Sequence, residues 1–145
     1  MEQLFVVEDN DQDFLVFERI VKENTQNIVI RRFMDGDEIL DWVEETKQQN
    51  DSESYFYPAL ILLDLNLPGT NGREVLEVLK HDSNWHQVPI IVFTTSSKPD
   101  DIEYCYEHGA NSYLIKPLEF KQLRKTVQTF LDYWLAANVL PNNVL

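Results

Sequence analysis

The sequence predicts an α/β domain of three layers: a doubly wound, five-stranded parallel sheet in the order 2-1-3-4-5, with helices on both faces. Three observations predict it. Short apolar runs alternate with stretches of helical periodicity, giving the order βαβαβαβαβα. The runs are nearly continuous in apolar character, as strands covered on both faces require. Four of them stop abruptly at polar groups: LFVV at Glu8-Asp9, LILL at Asp64, IIVF at Thr94-Thr95 and YLI at Lys116-Pro117. In an open parallel sheet, the carboxyl edge of the strands is where ligands bind.

Taken in order, Leu4 to Val7 form the first strand. Asn10 caps the first helix, with Asp13 three residues on and Phe14, Phe17 and Val21 as its inner face. Ile28 to Phe33 form the second strand. Asp35 and Glu38 have capping-box spacing and precede a stripe of Ile39, Leu40 and Val43. Ala59 to Leu63 form the third strand. Asn71 and Glu74 repeat the cap signature before Val75, Leu76 and Leu79. Pro89 to Phe93 form the fourth strand. Pro99 suits the first turn of a helix and Gly109 its exit. Ser112 to Ile115 form the fifth strand. Phe120, Leu123, Val127, Phe130 and Trp134 then recur at helical spacing. Right-handed crossovers leave few topologies for this order. The long irregular stretch Asn50 to Pro58 reads as an exposed loop whose tyrosines fold back on the body.

Bulk properties exclude several functions. A chain of 145 residues suits one core, with no room for a separate output module. No apolar stretch approaches the roughly 18 residues of a spanning helix. The net charge is −13, which repels nucleic-acid phosphates, and only Lys121, Arg124 and Lys125 cluster. Neither direct nucleic-acid binding nor membrane insertion is expected. An N-terminus that enters a strand at once resembles no signal peptide. The single cysteine, Cys105, has no internal disulfide partner. Together these features fit a reducing, cytoplasmic setting.

The strand ends carry the chemistry. Strands one and three are neighbours in the expected order, so Glu8, Asp9 and Asp64 converge. Three carboxylates in one place repel, and must be protonated or hold a cation. Mg²⁺ is suited to such oxygen ligands, together with water and phosphate. Lys116 supplies an ammonium to pair with Asp64 or with an arriving anion, and Thr94 supplies a hydroxyl. Nucleophilic carboxylate, metal, cation and hydroxyl make a phosphoryl site. Each piece alone is ordinary composition; their joint occurrence, each at a different strand end, is what points to function.

The blocks VVEDN, LILLDLNLPGTNG, VFTTS and YLIKP resemble the signature blocks of bacterial response-regulator receiver domains, over about residues 3 to 131. The resemblance implies that Asp64 is the phosphoacceptor. It implies that Asp9 binds Mg²⁺ directly, Glu8 binds it through water, and the main-chain carbonyl of Asn66 completes the protein ligands. Thr94 and Lys116 would hold the phosphoryl group, and the Lys116-Pro117 peptide would be cis. Tyr113 stands where receivers place their switch aromatic. Two positions depart from the family pattern: Thr70 replaces a usual methionine, and Thr95 replaces a small residue, where it partly screens the site from water. Kinase docking would use the first helix and the strand-five loop, with Phe14, Leu15 and Phe17 on or near that surface.

The loop at 50–58, the PGTNG turn, the TTS sequence and the tail LDYWLAANVLP are similar to the small regulators that partner cyanobacterial phytochromes. That implies a phytochrome-type histidine kinase as donor. It also implies a homodimer through helix four, strand five and helix five, with acidic Asp100, Asp101 and Glu103 facing basic Lys121, Arg124 and Lys125. The lack of room for an output module points to a message passed by protein contact, into a downstream phosphotransfer protein. On this reading residues 1–131 are the receiver. Residues 132–145 extend its last helix, and their apolar side chains, Trp134, Leu135 and Leu140 with Val139 and Val144, either fold back on their own domain or, on the sharper reading, make subunit contacts. Such a protein catalyses only its own phosphorylation and dephosphorylation.

Two other readings stand beside it. Haloacid-dehalogenase-type phosphatases also use a strand-end aspartate with Mg²⁺, but need a second acid two positions on, where this chain has Asn66. A flavodoxin-like cofactor binder would need a phosphate cradle rich in serine, threonine and glycine, which these loops lack.

Overall fold

A computed structural model describes residues 2–48 and 57–141. The strands are β1 (Glu2–Val7), β2 (Ile28–Phe33), β3 (Leu60–Leu63), β4 (Ile90–Thr94) and β5 (Ser112–Ile115). The helices are α1 (Asp11–Asn24), α2 (Gly36–Gln48), α3 (Gly72–His81), α4 (Pro99–Glu107) and α5 (Phe120–Leu131). All strand pairs are parallel and the order is β2-β1-β3-β4-β5. The expected topology is therefore present, and strand limits shift by one or two residues.

Alternation along the inner strands builds two cores. Phe5, Val7, Ile61, Leu63, Ile90 and Val92 pack with α2, α3 and Cys105 of α4. Leu4, Val6, Leu60, Leu62, Ile91 and Phe93 pack with α1 and α5 on the other face. The helices start where the caps place them. Asn10 Oδ1 accepts from Asp13 N, and Asn71 Oδ1 accepts from Arg73 N and Glu74 N. Asp35 accepts from Glu38 N, while the Glu38 carboxylate reaches back to Met34 N. Gly109, at φ 97°, provides the left-handed exit from α4.

Burial on both faces holds for β1, β3 and β4 and fails at the edges. β2 alternates, with Val29 and Arg31 exposed, and β5 is only half-buried. An edge strand meets fewer neighbours, so continuous apolar character is not required of it. Phe120, expected on the inner stripe of α5, is exposed under the Arg124 guanidinium.

The tail differs from expectation. Beyond α5 the chain widens into a π-helical segment, Asp132–Ala137, closed by Asn138 N–H donating to Tyr133 O at 2.7 Å. Asn138 is extended, and the chain turns back so that Leu140 is 2% exposed against its own domain. Trp134 and Leu135 are half-buried on the same core. Leu140 is thus a core residue and not a subunit contact, and much of the apolar surface of Trp134 and Leu135 is already used. Val139 stays exposed. Val144 and the loop residues 50–56 lie outside the described residues; Tyr57 does fold onto the body, edge-on to Trp85.

Candidate functional site: a carboxylate cluster at the carboxyl edge of the sheet

Register assembles the site. Val7 pairs with Leu63 and Leu63 with Val92, so the residues that follow, Glu8 and Asp64, leave adjacent strands together. Asp64 N–H donates to Val7 O at 3.1 Å, and Lys116 N–H donates to Thr94 O at 2.7 Å. These main-chain bonds fix the roots of three of the expected side chains, Asp64, Thr94 and Lys116.

Glu8, Asp9 and Asp64 each offer a carboxylate oxygen, and the three oxygens lie within 4.8 Å of one another. Glu8 and Asp64 are buried; Asp9 faces solvent. Lys116 Nζ donates to Glu8 Oε1 and to Asp64 Oδ2, the latter at 2.9 Å, with its side chain 8% exposed. Asp13 Oδ2 also meets Nζ, at 3.1 Å. Burial, assisted by the Asp64 charge and opposed by Lys116, pushes the Glu8 carboxyl up to about 7. Burial pulls the Lys116 ammonium down, but its bonds to Asp64 and Glu8 outweigh that and hold it above the ordinary lysine value. One ammonium does not neutralise the cluster, so the donor set suits a hard divalent cation.

The remaining expected residues sit around this centre. Thr94 is fully buried at the end of β4, and its Oγ1 accepts from Ser96 N–H at 3.4 Å. Thr95 is exposed and lines a cleft of about 200 Å³ with Glu8, Asp13, Phe14, Phe17 and Lys116. Asn66 is exposed on the loop after β3, and its N–H donates to Asp64 Oδ1 at 3.2 Å. Tyr113 is half-buried and donates its hydroxyl to Ser96 O at 2.9 Å. Ser96 thereby joins the expected switch aromatic to Thr94. The Lys116-Pro117 peptide is trans, which corrects the expected cis bond. Trans is the lower-energy isomer even before proline, and Lys116 reaches its partners from it.

Three residues were not singled out as site residues from sequence. Asp13 read as a partner of the Asn10 cap; it stands in the first turn of α1, and only Lys116 reaching across from the strand-five loop brings it to the site. Ser96 stood inside a quoted block without a role. Arg32 left no local trace, because its partners lie a whole helix away in sequence. Of the aromatic and aliphatic residues expected near the docking surface, Phe14 and Phe17 serve the core and Leu15 is exposed.

Residues 4–128 match the sequence profile of the response regulator receiver domain. The chain is 36% identical to the response regulator Rcp1 of a Synechocystis species over 138 residues, which is 95% of this chain and 92% of that one. It is 34% identical to the probable methanogenesis regulatory protein FilR2 of Methanothrix harundinacea over 138 residues, 95% of this chain and 86% of that one. Among solved structures, the phosphorylated cyanobacterial phytochrome response regulator RcpA superposes with a TM-score of 0.84 at 32% identity, covering 97% and 98% of the two chains. The Mn²⁺-bound form of Rcp1 superposes with a TM-score of 0.84 at 35% identity, covering 97% and 99%. The fold and the carboxylate edge thus define a receiver domain of the two-component phosphoacceptor type, and this chain belongs to the response regulator receiver family. Members take phosphoryl groups from histidine kinases and bind a divalent metal at an acidic pocket. No helix among the described residues is long and apolar enough to cross a membrane.

Proposed function

We propose that this protein is a phosphorylation switch in which Asp64 accepts a phosphoryl group from a histidine kinase. The observation that carries the reading is Lys116 Nζ, buried and 2.9 Å from Asp64 Oδ2, beside the clustered oxygens of Glu8, Asp9 and Asp64. An Asp64 oxygen attacks the phosphorus of a phosphohistidine. The P–N bond breaks, the nitrogen keeps its electron pair and takes up a proton, and an acyl phosphate remains. Glu8, Asp9 and Asp64, with the Asn66 carbonyl, would hold Mg²⁺, whose charge offsets that of the phosphoryl oxygens when it is bound. Lys116 exchanges its bond to Asp64 for one to a phosphoryl oxygen. Thr94 turns its hydroxyl to another, and Ser96 and Tyr113 follow, repacking the face of α4, β5 and α5. Thr95, at the rim of the cleft, screens the product from water. The chain turns over no external substrate, and Asn66 in place of a second acid supports that.

The donor in this reading is a phytochrome-type light-sensing kinase, supported by the similarity to RcpA along nearly the whole of both chains. It docks over α1 and the strand-five loop, where the fully exposed Leu118 lines the cleft and Leu15 is exposed on α1. Residues 1–131 form the switch and 132–145 its extension. The setting is cytoplasmic, and the message passes by protein contact, within a homodimer and onward to a phosphotransfer protein. The dimer face is narrower than sequence implied. Asp101 is engaged by Arg73 and Ser96, and Arg124 by Glu23. Asp100, Glu103, Lys121 and Lys125 remain exposed for it. Transfer from a radiolabelled phytochrome kinase tests the donor: label should reach the native chain and not Asp64→Asn. Label on native chain only from kinases without a phytochrome sensor would leave the acceptor and remove the light signal.

A further inference from the structure

Arg32 lies at the carboxyl end of β2, paired in register with Val6 and one residue short of Phe33, whose carbonyl accepts from Glu8 N–H. Its side chain crosses to the α1 face of the sheet. Nε donates to the main-chain carbonyl of Glu8 at 3.0 Å. Nη2 is buried, has no hydrogen bond, and meets Asp11 Oδ1 by charge at 2.8 Å. The guanidinium carbon lies 4.7 Å from the centre of the Phe14 ring. One rigid fork therefore touches the end of β1, the first residue of α1 and the first inward aromatic of α1. Between these points lie Glu8 and Asp9.

We propose that Arg32 is a positioning residue of the carboxylate site: it clamps the β1–α1 turn so that Glu8 and Asp9 present their oxygens toward Asp64. This rests on the reading that those carboxylates hold a divalent cation. Glu8 alone is anchored from the site side, by Lys116 and Asn10 N–H. Asp9 is exposed, so its direction depends on the turn that carries it. A partner one step behind metal ligands commonly sets their affinity by tenfold or more. Lysine is a poor substitute here, since it has neither the planar fork nor the stacking face.

Charge and clamping make opposite demands, which makes the inference testable. Arg32 is a cation near a cation site, so deleting its charge alone tightens metal binding. Deleting the clamp loosens it. Mn²⁺ titration of the full chain, reading free Mn²⁺ by its paramagnetic resonance signal, is the measurement. Arg32→Lys keeps the charge and should raise the Mn²⁺ dissociation constant about tenfold. Arg32→Gln should raise it too, despite losing a positive charge. Arg31→Gln is the control: Arg31 has the same charge on the same strand but stacks on Phe33 and Trp42 over the opposite face. It should leave the constant unchanged or slightly lower.

An Arg32→Lys constant within twofold of native overturns the proposal, as does tighter binding by Arg32→Gln or equal weakening by Arg31→Gln. Thermal melts in chelator accompany each titration. Failure of Arg32→Lys to fold would assign the residue to the fold and not to the site, which also overturns it. A native chain that takes up no Mn²⁺ refutes the metal reading itself, an outcome distinct from all of these.

Discussion

Lys116 answers three carboxylates with one ammonium, and the imbalance defines the residue scale of this protein. Glu8 is the group that yields. Its carboxyl is pushed up to about 7 from an ordinary 4.5, so the folded chain binds a proton that the unfolded chain has released. Stability from that proton is complete below about pH 4.5 and is lost as the pH rises through about 7. In chelator, Glu8→Gln should therefore gain stability relative to the native chain by about 1–3 kcal/mol between pH 5 and pH 8. Urea unfolding at the two pH values checks this; a native-minus-variant difference that does not change with pH would count against the burial argument. The residues that carry this chemistry were largely legible. Asp64, Glu8, Asp9 and Lys116 each follow an apolar run, and the alternation rule brings such ends to one edge. Arg32 and Asp13 were not read as site residues, because their parts depend on side chains crossing between elements.

At the scale of elements, the loop from β3 to α3 is held by close approach. Gly72 N–H donates to Leu65 O at 2.9 Å, and a Cβ at Gly72 would lie 2.1 Å from the carbonyl oxygen of Asp64. No side chain fits there without moving the main chain of the acceptor itself. Gly72→Ala should cost about 2–3 kcal/mol of stability and slow phosphorylation of Asp64. Denaturant midpoints with parallel phosphorylation rates measure both, and an alanine variant with native stability would show that the loop yields freely. Helix starts were readable from caps, because Asn10, Asp35 and Asn71 act within three or four residues. The end of α5 was not. Helical spacing carried through Trp134, whereas the backbone widens to a π turn at Asp132–Ala137 and sends Leu140 inward. Sequence periodicity contains no signal for that change of pitch. Edge strands show the same limit: β2 and β5 lie at the ends of the sheet, and what covers them is a property of the whole fold.

At the scale of the molecule, a net charge of −13 opposes self-association unless a face collects complementary groups. Asp100 and Glu103 on α4 and Lys121 and Lys125 on α5 are exposed, as are Tyr106, Ile115 and Phe120, and in the proposed homodimer they supply such a face. A two-fold pair sets one helix against the other. Light scattering at tens of micromolar should give a dimer mass that falls toward the monomer when Lys121 and Lys125 are both replaced by Glu. A monomeric native chain at that concentration, with and without phosphorylation, would remove the homodimer from the reading.

The central claim is that Asp64 is the group esterified. Intact-protein mass spectrometry after incubation with acetyl phosphate and Mg²⁺ tests it most directly. The native chain should gain about 80 Da, and it should gain nothing in chelator or as Asp64→Asn. An unchanged native mass under these conditions, or an equal gain by Asp64→Asn, would contradict it.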